Sequence, residues 1–150
     1  DIVARNVLVI VSAGNDGSTA DAPSNCRGVA AIGAARHVGN KVGFSNLGPN
    51  VALTAPGGNC VNVGAGQPCL FSIDTTTNLG ETVPAANGYT DQINANFGTS
   101  FSAPIVSGIA ALLYARHPNL TPAQAIARLR AAARPFPVVT EIEPSTNAPV

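Results

Sequence analysis

Apolar positions along this chain fall into three short continuous runs and, later, two helix-length stretches. Residues 7–12 read VLVIVS, an aliphatic and β-branched run closed by Ala-Gly-Asn-Asp-Gly. A run of that kind predicts a strand buried on both faces, followed by a tight turn. VAAIGAA at 29–35 and VALTAP at 51–56 repeat the pattern, the latter stopped by Pro56-Gly57-Gly58. From 59 to 92 the pattern weakens into expected surface loops and a hairpin, with a candidate strand LFSIDTTT at 70–77.

The periodicity changes after residue 99. Between 100 and 116, Phe101, Ile105, Val106, Ile109, Leu112, Leu113 and Tyr114 fall almost all round a helical wheel. A helix apolar on every side is expected to be buried. Gly108, next to Ser107 and Ala110, predicts close approach of another element, and Pro104 is expected in the first turn, where its missing N–H has no partner in any case. His117-Pro118 ends the helix. Thr121-Pro122-Ala123-Gln124 then reads as a capping box with Pro at the first helical position. The second helix should run to about Ala133, with Ile126 and Leu129 inward. The end, EIEPSTNAPV, is polar and aperiodic and predicts a mobile tail over 136–150. Buried strands followed by helices predict one α/β domain over 1–135, three-layered with a mostly parallel sheet.

Composition adjusts this picture in two ways. Only 11% of the 150 residues are charged, against roughly a quarter in ordinary soluble domains. With 15 Gly and 12 Pro, the chain leans toward a compact, loop-rich, secreted protein. Net charge is zero, and no basic stripe suggests nucleic acid. The apolar run at 7–11 is far short of the roughly 20 residues a membrane span needs. There is no Met and no signal peptide, so the chain is expected to begin partway along a longer product.

The candidate chemistry lies in GTSFSAP, 98–104, at the mouth of the first long helix. A serine there has two readings. It caps the helix by accepting a backbone N–H, or it is a nucleophile placed where helix N–H groups would receive an oxyanion. A second candidate is SAGND, 12–16, at the C-terminal end of a buried strand, where ligand-binding groups of open α/β sheets sit. Asn15 is either a turn residue or a neutral donor aimed at developing negative charge.

Together these segments resemble the subtilisin-like serine peptidases, or subtilases. GTSFSAPIVSGIAALLYARHPNLT is similar to the family's nucleophile segment, VLVIVSAGND to the strand carrying its oxyanion Asn, and VGFSNLGPNVALTAPG to its Phe/Tyr-Ser-Asn-x-Gly segment and the strand ending Ala-Pro-Gly. The resemblance covers about 7–133. It implies that Ser100 is the nucleophile, with Thr99 and Ser102 not. It implies that Asn15 and the Ser100 N–H form the oxyanion hole, and that Ser12, Ala13 and Gly14 line the pocket for the residue before the scissile bond. A polypeptide substrate follows, with no cofactor required for catalysis. Structural calcium also occurs in the family, in part through carbonyls near 24–29, and leaves no sequence trace.

A subtilase activates its serine with a His oriented by an Asp. The family's Asp-Thr/Ser-Gly and His-Gly-Thr-His segments are absent. His37 reads as an exposed loop residue, and His117 ends the helix roughly 25 Å from Ser100 at 1.5 Å per residue. The expectation is therefore a C-terminal half of a catalytic domain, inactive alone, whose partner is the missing N-terminal half. Two other classes compete with this reading: a non-catalytic binding module on the same scaffold, and a phosphate-binding loop at GGNCVNVGAG, 57–66, which lacks a P-loop Lys and a following helix.

Cys26, Cys60 and Cys69 lack metal-ligand spacing. Cys60 and Cys69, with eight residues between them in a segment with little core, are expected to form a disulfide, with Cys26 left unpaired. Asn119-Leu120-Thr121 is a glycosylation sequon that a turn and a helix cap also explain. In the family, the position two before the proline matched by Pro23 tends to sit at the specificity-pocket floor. Asp21 stands there and either faces solvent or selects basic side chains, with Asp16 adding negative charge at the rim.

Overall fold

The three aliphatic runs make one parallel sheet. β1 (Val9–Ser12), β2 (Val29–Ala35) and β3 (Val51–Pro56) lie in the order β1-β2-β3. Val9 pairs with Val29 and Ser12 with Ile32; the β2–β3 ladder shifts register between Ala31 and Ile32 and ends at Ala35 opposite Pro56. The computed structural model describes residues 2–37, 39–58, 73–90 and 97–137, with the backbone of 142–143 and 148–149.

The middle strand, β2, is buried from Ala30 onward, as a continuous apolar run requires. β1 is not. Each of its four residues is only half-buried, contrary to the expectation from its composition. The reason is position: β1 pairs with β2 and has no second neighbour among the described strands, so one of its edges stays open.

α1 (Thr99–Arg116) crosses the sheet on one face, with α2 (Pro122–Ala132) beside it. Ala30, Ile32 and Ala55 from the sheet meet Val106, Ala110 and Leu129 from the helices. The small strand residues let the helix backbone come close. The other face of the sheet is covered by the loop over 40–48. A side chain at Gly33 would stand 3.0 Å from Thr54 Cγ2, 3.2 Å from Ser45 Oγ and 3.3 Å from Leu47 Cδ2. The parallel sheet thus lies between a helical layer and a loop layer.

Three expectations for α1 need correction. The helix is not buried all round: Val106 and Ala110 are covered, whereas Ile105, Ile109 and Leu112 are 37%, 49% and 74% exposed. Uniform apolar composition carries no information about which face meets the sheet. A Cβ added at Gly108 would meet nothing within 4 Å, so no close approach of another element needs a glycine there. Pro104 lies inside the helix, not in its first turn, because the helix begins at Thr99. Its missing N–H would have bonded the carbonyl of Ser100, four residues back, so that carbonyl is left out of the helical ladder.

The capping box is as the sequence predicts. Gln124 N–H donates to Thr121 Oγ1 (3.3 Å), and Thr121 N–H donates to Gln124 Oε1 (2.9 Å), with Pro122 first in the helix. A hairpin also forms, from β4 (Thr75–Asn78) and β5 (Asn87–Thr90). Asn78 Oδ1 closes it by accepting from Gly80 N–H and Ala85 N–H at 3.0 and 2.8 Å. The strand starts at Thr75, after Ile73 and Asp74 in irregular backbone; the earlier part of the candidate strand, 70–72, lies outside the described residues. Within the tail, the backbones of β6 (Ile142–Glu143) and β7 (Ala148–Pro149) pair antiparallel. Cys60, Cys69 and most of the glycine-rich 57–66 stretch also lie outside the described residues. Cys26 is exposed and unpaired.

Candidate active site

Because the strands are parallel, their C-terminal ends share one edge of the sheet, and the N-terminus of α1 comes down on that edge. Gly98 N–H donates to Gly57 O just after β3 (2.7 Å). Ser102 Oγ donates to Ala55 O (3.0 Å) and Pro56 O (3.2 Å) at the end of the same strand. These bonds fix the first turn of the helix against β3.

The turn after β1 is tied to the same place. Thr99 N–H and Thr99 Oγ1–H both donate to Asn15 Oδ1, each at 2.9 Å, and Gly14 N–H donates to Thr99 Oγ1 at 3.2 Å. A backbone N–H can only donate, so the oxygen of the Asn15 amide must face Thr99. Its Nδ2 is the other branch of the amide and takes no part in these bonds. Gly98 is required here. Its φ is +135°, and a Cβ at this position would lie 3.1 Å from Asn15 Nδ2.

Ser100 is the second residue of α1 and is exposed. The N-cap is Gly98, which has no side chain, and Ser100 lies inside the helix; the Thr99 N–H is taken by Asn15 Oδ1 instead, so the capping reading of Ser100 does not hold. Its backbone N–H is one of the first four of the helix and has no intrahelical acceptor. The open edge therefore presents a hydroxyl, a free helix N–H and an oriented amide together. The positive end of the helix macrodipole lies at the same point.

Ser12 and Gly14 are half-buried and Ala13 is buried; Ala13 N–H donates to Ile32 O (2.9 Å). Asp21 is exposed. Its carbonyl accepts from Ser24 Oγ (2.6 Å) and Asn25 N–H (3.0 Å), and Ser24 Oγ also lies 3.4 Å from Ala13 O. Ser24 thus laces the turn carrying Asp21 to the 12–14 strand end.

His117 forms the C-cap at the opposite end of α1. His37 is exposed after β2 and borders a separate cavity of about 570 Å³ lined also by Leu53, Ile109, Leu129 and Phe136, with neither Ser100 nor Asn15 on its wall. Neither histidine of the chain is brought to Ser100. On the same side as Asn15, Lys41 donates to Gly43 O (3.0 Å). Burial chiefly, and the Arg36 charge secondarily, hold its ammonium below the usual lysine range. No group of three or more His, Cys, Asp or Glu that could hold a metal occurs among the described residues. The 24–29 turn closes on itself through Val29 N–H to Cys26 O (3.4 Å). Carboxylate ligation of calcium has no donor set there.

The Subtilase family model matches residues 2–146. The chain belongs to the subtilase family. It is 35% identical over 138 residues to an extracellular protease of Xanthomonas campestris pv. campestris, covering 90% of this chain and 21% of that protein. It is 31% identical over 135 residues to subtilisin DY of Bacillus licheniformis, covering 87% and 40%. Among solved structures, a protease of Pseudoalteromonas arctica superposes with a TM-score of 0.77 at 30% identity, over 91% of this chain and 38% of that one. The chain thus spans about a fifth to two fifths of the length of these subtilases.

Sequence reasoning set Thr99 aside because it is not a nucleophile. Yet this subtilase uses Thr99, fully buried, as the link between Asn15 and the helix. Asn46 was also missed. It is fully buried and bonds around the Asn15 turn. The available signal was its place in the Phe44-Ser45-Asn46-Leu47-Gly48 motif, which does not say what Asn46 bonds.

Proposed function

We propose that this chain is the nucleophile-bearing part of a secreted serine endopeptidase. Ser100 Oγ attacks the carbonyl carbon of a peptide bond while a base outside this chain takes the hydroxyl proton. The carbonyl oxygen becomes an oxyanion that receives hydrogen bonds from Asn15 Nδ2 and the Ser100 N–H. Collapse of the tetrahedral intermediate breaks the C–N bond; the amine leaves with the proton returned by the base, and the acyl group stays on Ser100. Water then hydrolyses the ester. The observation that carries this reading is the pair of Thr99 donors on Asn15 Oδ1, which occupy the amide oxygen and leave Nδ2 as the group the side chain can donate.

Without a base, Ser100 keeps ordinary hydroxyl reactivity. The chain alone should remain unlabelled by a fluorophosphonate, and the full-length protein should be labelled on Ser100. Stoichiometric labelling of the chain alone would refute the need for an outside base. Export is supported by the names of relatives such as the Xanthomonas extracellular protease; no helix among the described residues is long and apolar enough to cross a membrane.

For specificity, the same reading gives Asp21 a preference for Lys or Arg before the cleaved bond. Asp21 is exposed in this chain, so the preference requires a substrate side chain to cover it, and a carboxylate so covered is costly to desolvate unless a cation meets it. Matched peptides with Arg, Phe or Leu at that position test this with and without Asp21→Ala. A ranking led by Phe or Leu, or one that Asp21→Ala leaves unchanged, sinks it.

A further inference from the structure

The turn that carries Asn15 has no regular secondary structure of its own. Glycines at 14 and 17 take φ of +107° and +65°, so local propensity leaves many conformations open to it. Something else must hold Asn15 to the narrow geometry that an oxyanion donor needs. Thr99 grips the side chain of Asn15. The backbone on either side is gripped by one residue, Asn46.

Asn46 lies in the loop over 40–48 and is fully buried. Its backbone N–H donates to Gly14 O at 3.0 Å, on the N-terminal side of Asn15. Its Oδ1 accepts from Asp16 N–H at 2.8 Å and from Ser18 N–H at 3.0 Å, on the C-terminal side. Its Nδ2 points at Asp16 Oδ2 at 3.5 Å. A Cβ on Gly14 would collide with that Nδ2, so the turn is closed directly onto the Asn46 amide. The loop holding Asn46 is itself braced. Gly17 N–H donates to Phe44 O (2.8 Å), Leu47 N–H to Ser18 O (3.0 Å) and Ala20 N–H to Leu47 O (3.0 Å). The Phe44 ring packs on Phe97, beside Gly98, at 5.4 Å between centroids.

The geometry points to Asn46 as a positioning residue for the oxyanion donor: it fixes the backbone on both sides of Asn15 so that Thr99 can set the direction of the amide. This rests on the reading of Asn15 given above. The role needs an amide. An aspartate of the same shape would keep the Oδ1 acceptor for the Asp16 and Ser18 N–H groups. Its other oxygen, however, would face Asp16 Oδ2, and like charges at that spacing repel.

A double-mutant cycle in the full-length protein tests it. Asn46→Ala should lower kcat about 10- to 100-fold with KM within about threefold, since misplacement of about 1 Å can cost about 10²-fold and an oxyanion contact acts only near the transition state. In the Asn15→Ala background the same change should lower kcat less than about threefold, because the donor it positions is already gone. Asn46→Asp should behave like Asn46→Ala, and adding Asp16→Asn should restore kcat by giving back one amide and one carboxylate. Equal effects of Asn46→Ala in both backgrounds, or a drop in Tm with kcat per folded molecule unchanged, overturn the proposal. If Asn46→Ala does not fold, the Asn46→Asp and swap variants are compared instead; no recovery in the swap overturns it. If Asn15→Ala itself leaves kcat unchanged, the reading of Asn15 fails along with it, an outcome distinguishable from additivity in the cycle.

Discussion

Ser100 and Ser102 stand two residues apart in the first turn of α1, and the fold uses them in opposite ways. Two positions on a helix are about 200° apart, so when one faces the sheet the other cannot. Ser102 is fully buried and donates to two strand-end carbonyls. Ser100 is exposed on the open edge of the sheet, near Asn15. The contrast continues along the helix, between covered Val106 and Ala110 and exposed Ile109 and Leu112. Identical or similar side chains are buried and bonded, or left exposed, according to which side of α1 they occupy.

The hardest attempt to break that comparison is Ser100→Ala in the full-length protein. Turnover should fall by on the order of 10⁶, as loss of the nucleophile does in subtilisin itself. Thermal stability should stay within about 0.5 kcal/mol, because the side chain is exposed. A Tm that falls with activity would merge the two serines into one structural role.

Next is Asn15→Ala. Its kcat should fall about 10²–10³-fold, the magnitude seen for the equivalent donor in subtilisin, with little change in KM. A KM effect without a kcat effect would make Asn15 a ground-state contact.

Ser102→Ala should produce the converse of Ser100→Ala. It leaves the Ala55 and Pro56 carbonyls without their donor, at a cost of about 1–3 kcal/mol. Activity per folded molecule should be retained. Chemical denaturation and active-site titration together separate the two outcomes.

The smallest effect sharpens the contrast on the apolar side. Leu112→Glu in this 150-residue chain should change stability by no more than about 0.5 kcal/mol, since Leu112 is mostly exposed. A loss of more than about 2 kcal/mol would show that the outer face of α1 is covered even in the chain alone.

Much of the fold could be read from the residues. The three aliphatic runs at 7–12, 29–35 and 51–56 became the three parallel strands, and Thr121 to Gln124 became a complete capping box. These features are local: run length, β-branching and a short polar motif report on backbone within a few residues. The burial of β1 and α1 was misread because burial depends on neighbours. A buried composition on β1 does not say whether a second strand pairs with its free edge, and a helix apolar all round carries no pattern to indicate which side meets the sheet. The site was legible in part. Ser100 and Asn15 stood out through the motifs they share with subtilases. Thr99 and Asn46 lie in those same motifs, but their links to the Asn15 turn were not legible, because a threonine and an asparagine in polar turns look like ordinary cap and turn residues.

The sequence by itself determined the strands, the two helices and the family. Only the tertiary structure decided that residues 14–18, 44–47 and 98–102 meet at one edge of the sheet, and that Thr99 turns the Asn15 oxygen inward while Asn46 holds the backbone on both sides. The bonds responsible link positions about 30 and 85 residues apart. Interactions over such separations have no local signature; they exist only once the parallel sheet has brought its strand ends together beneath the start of a helix.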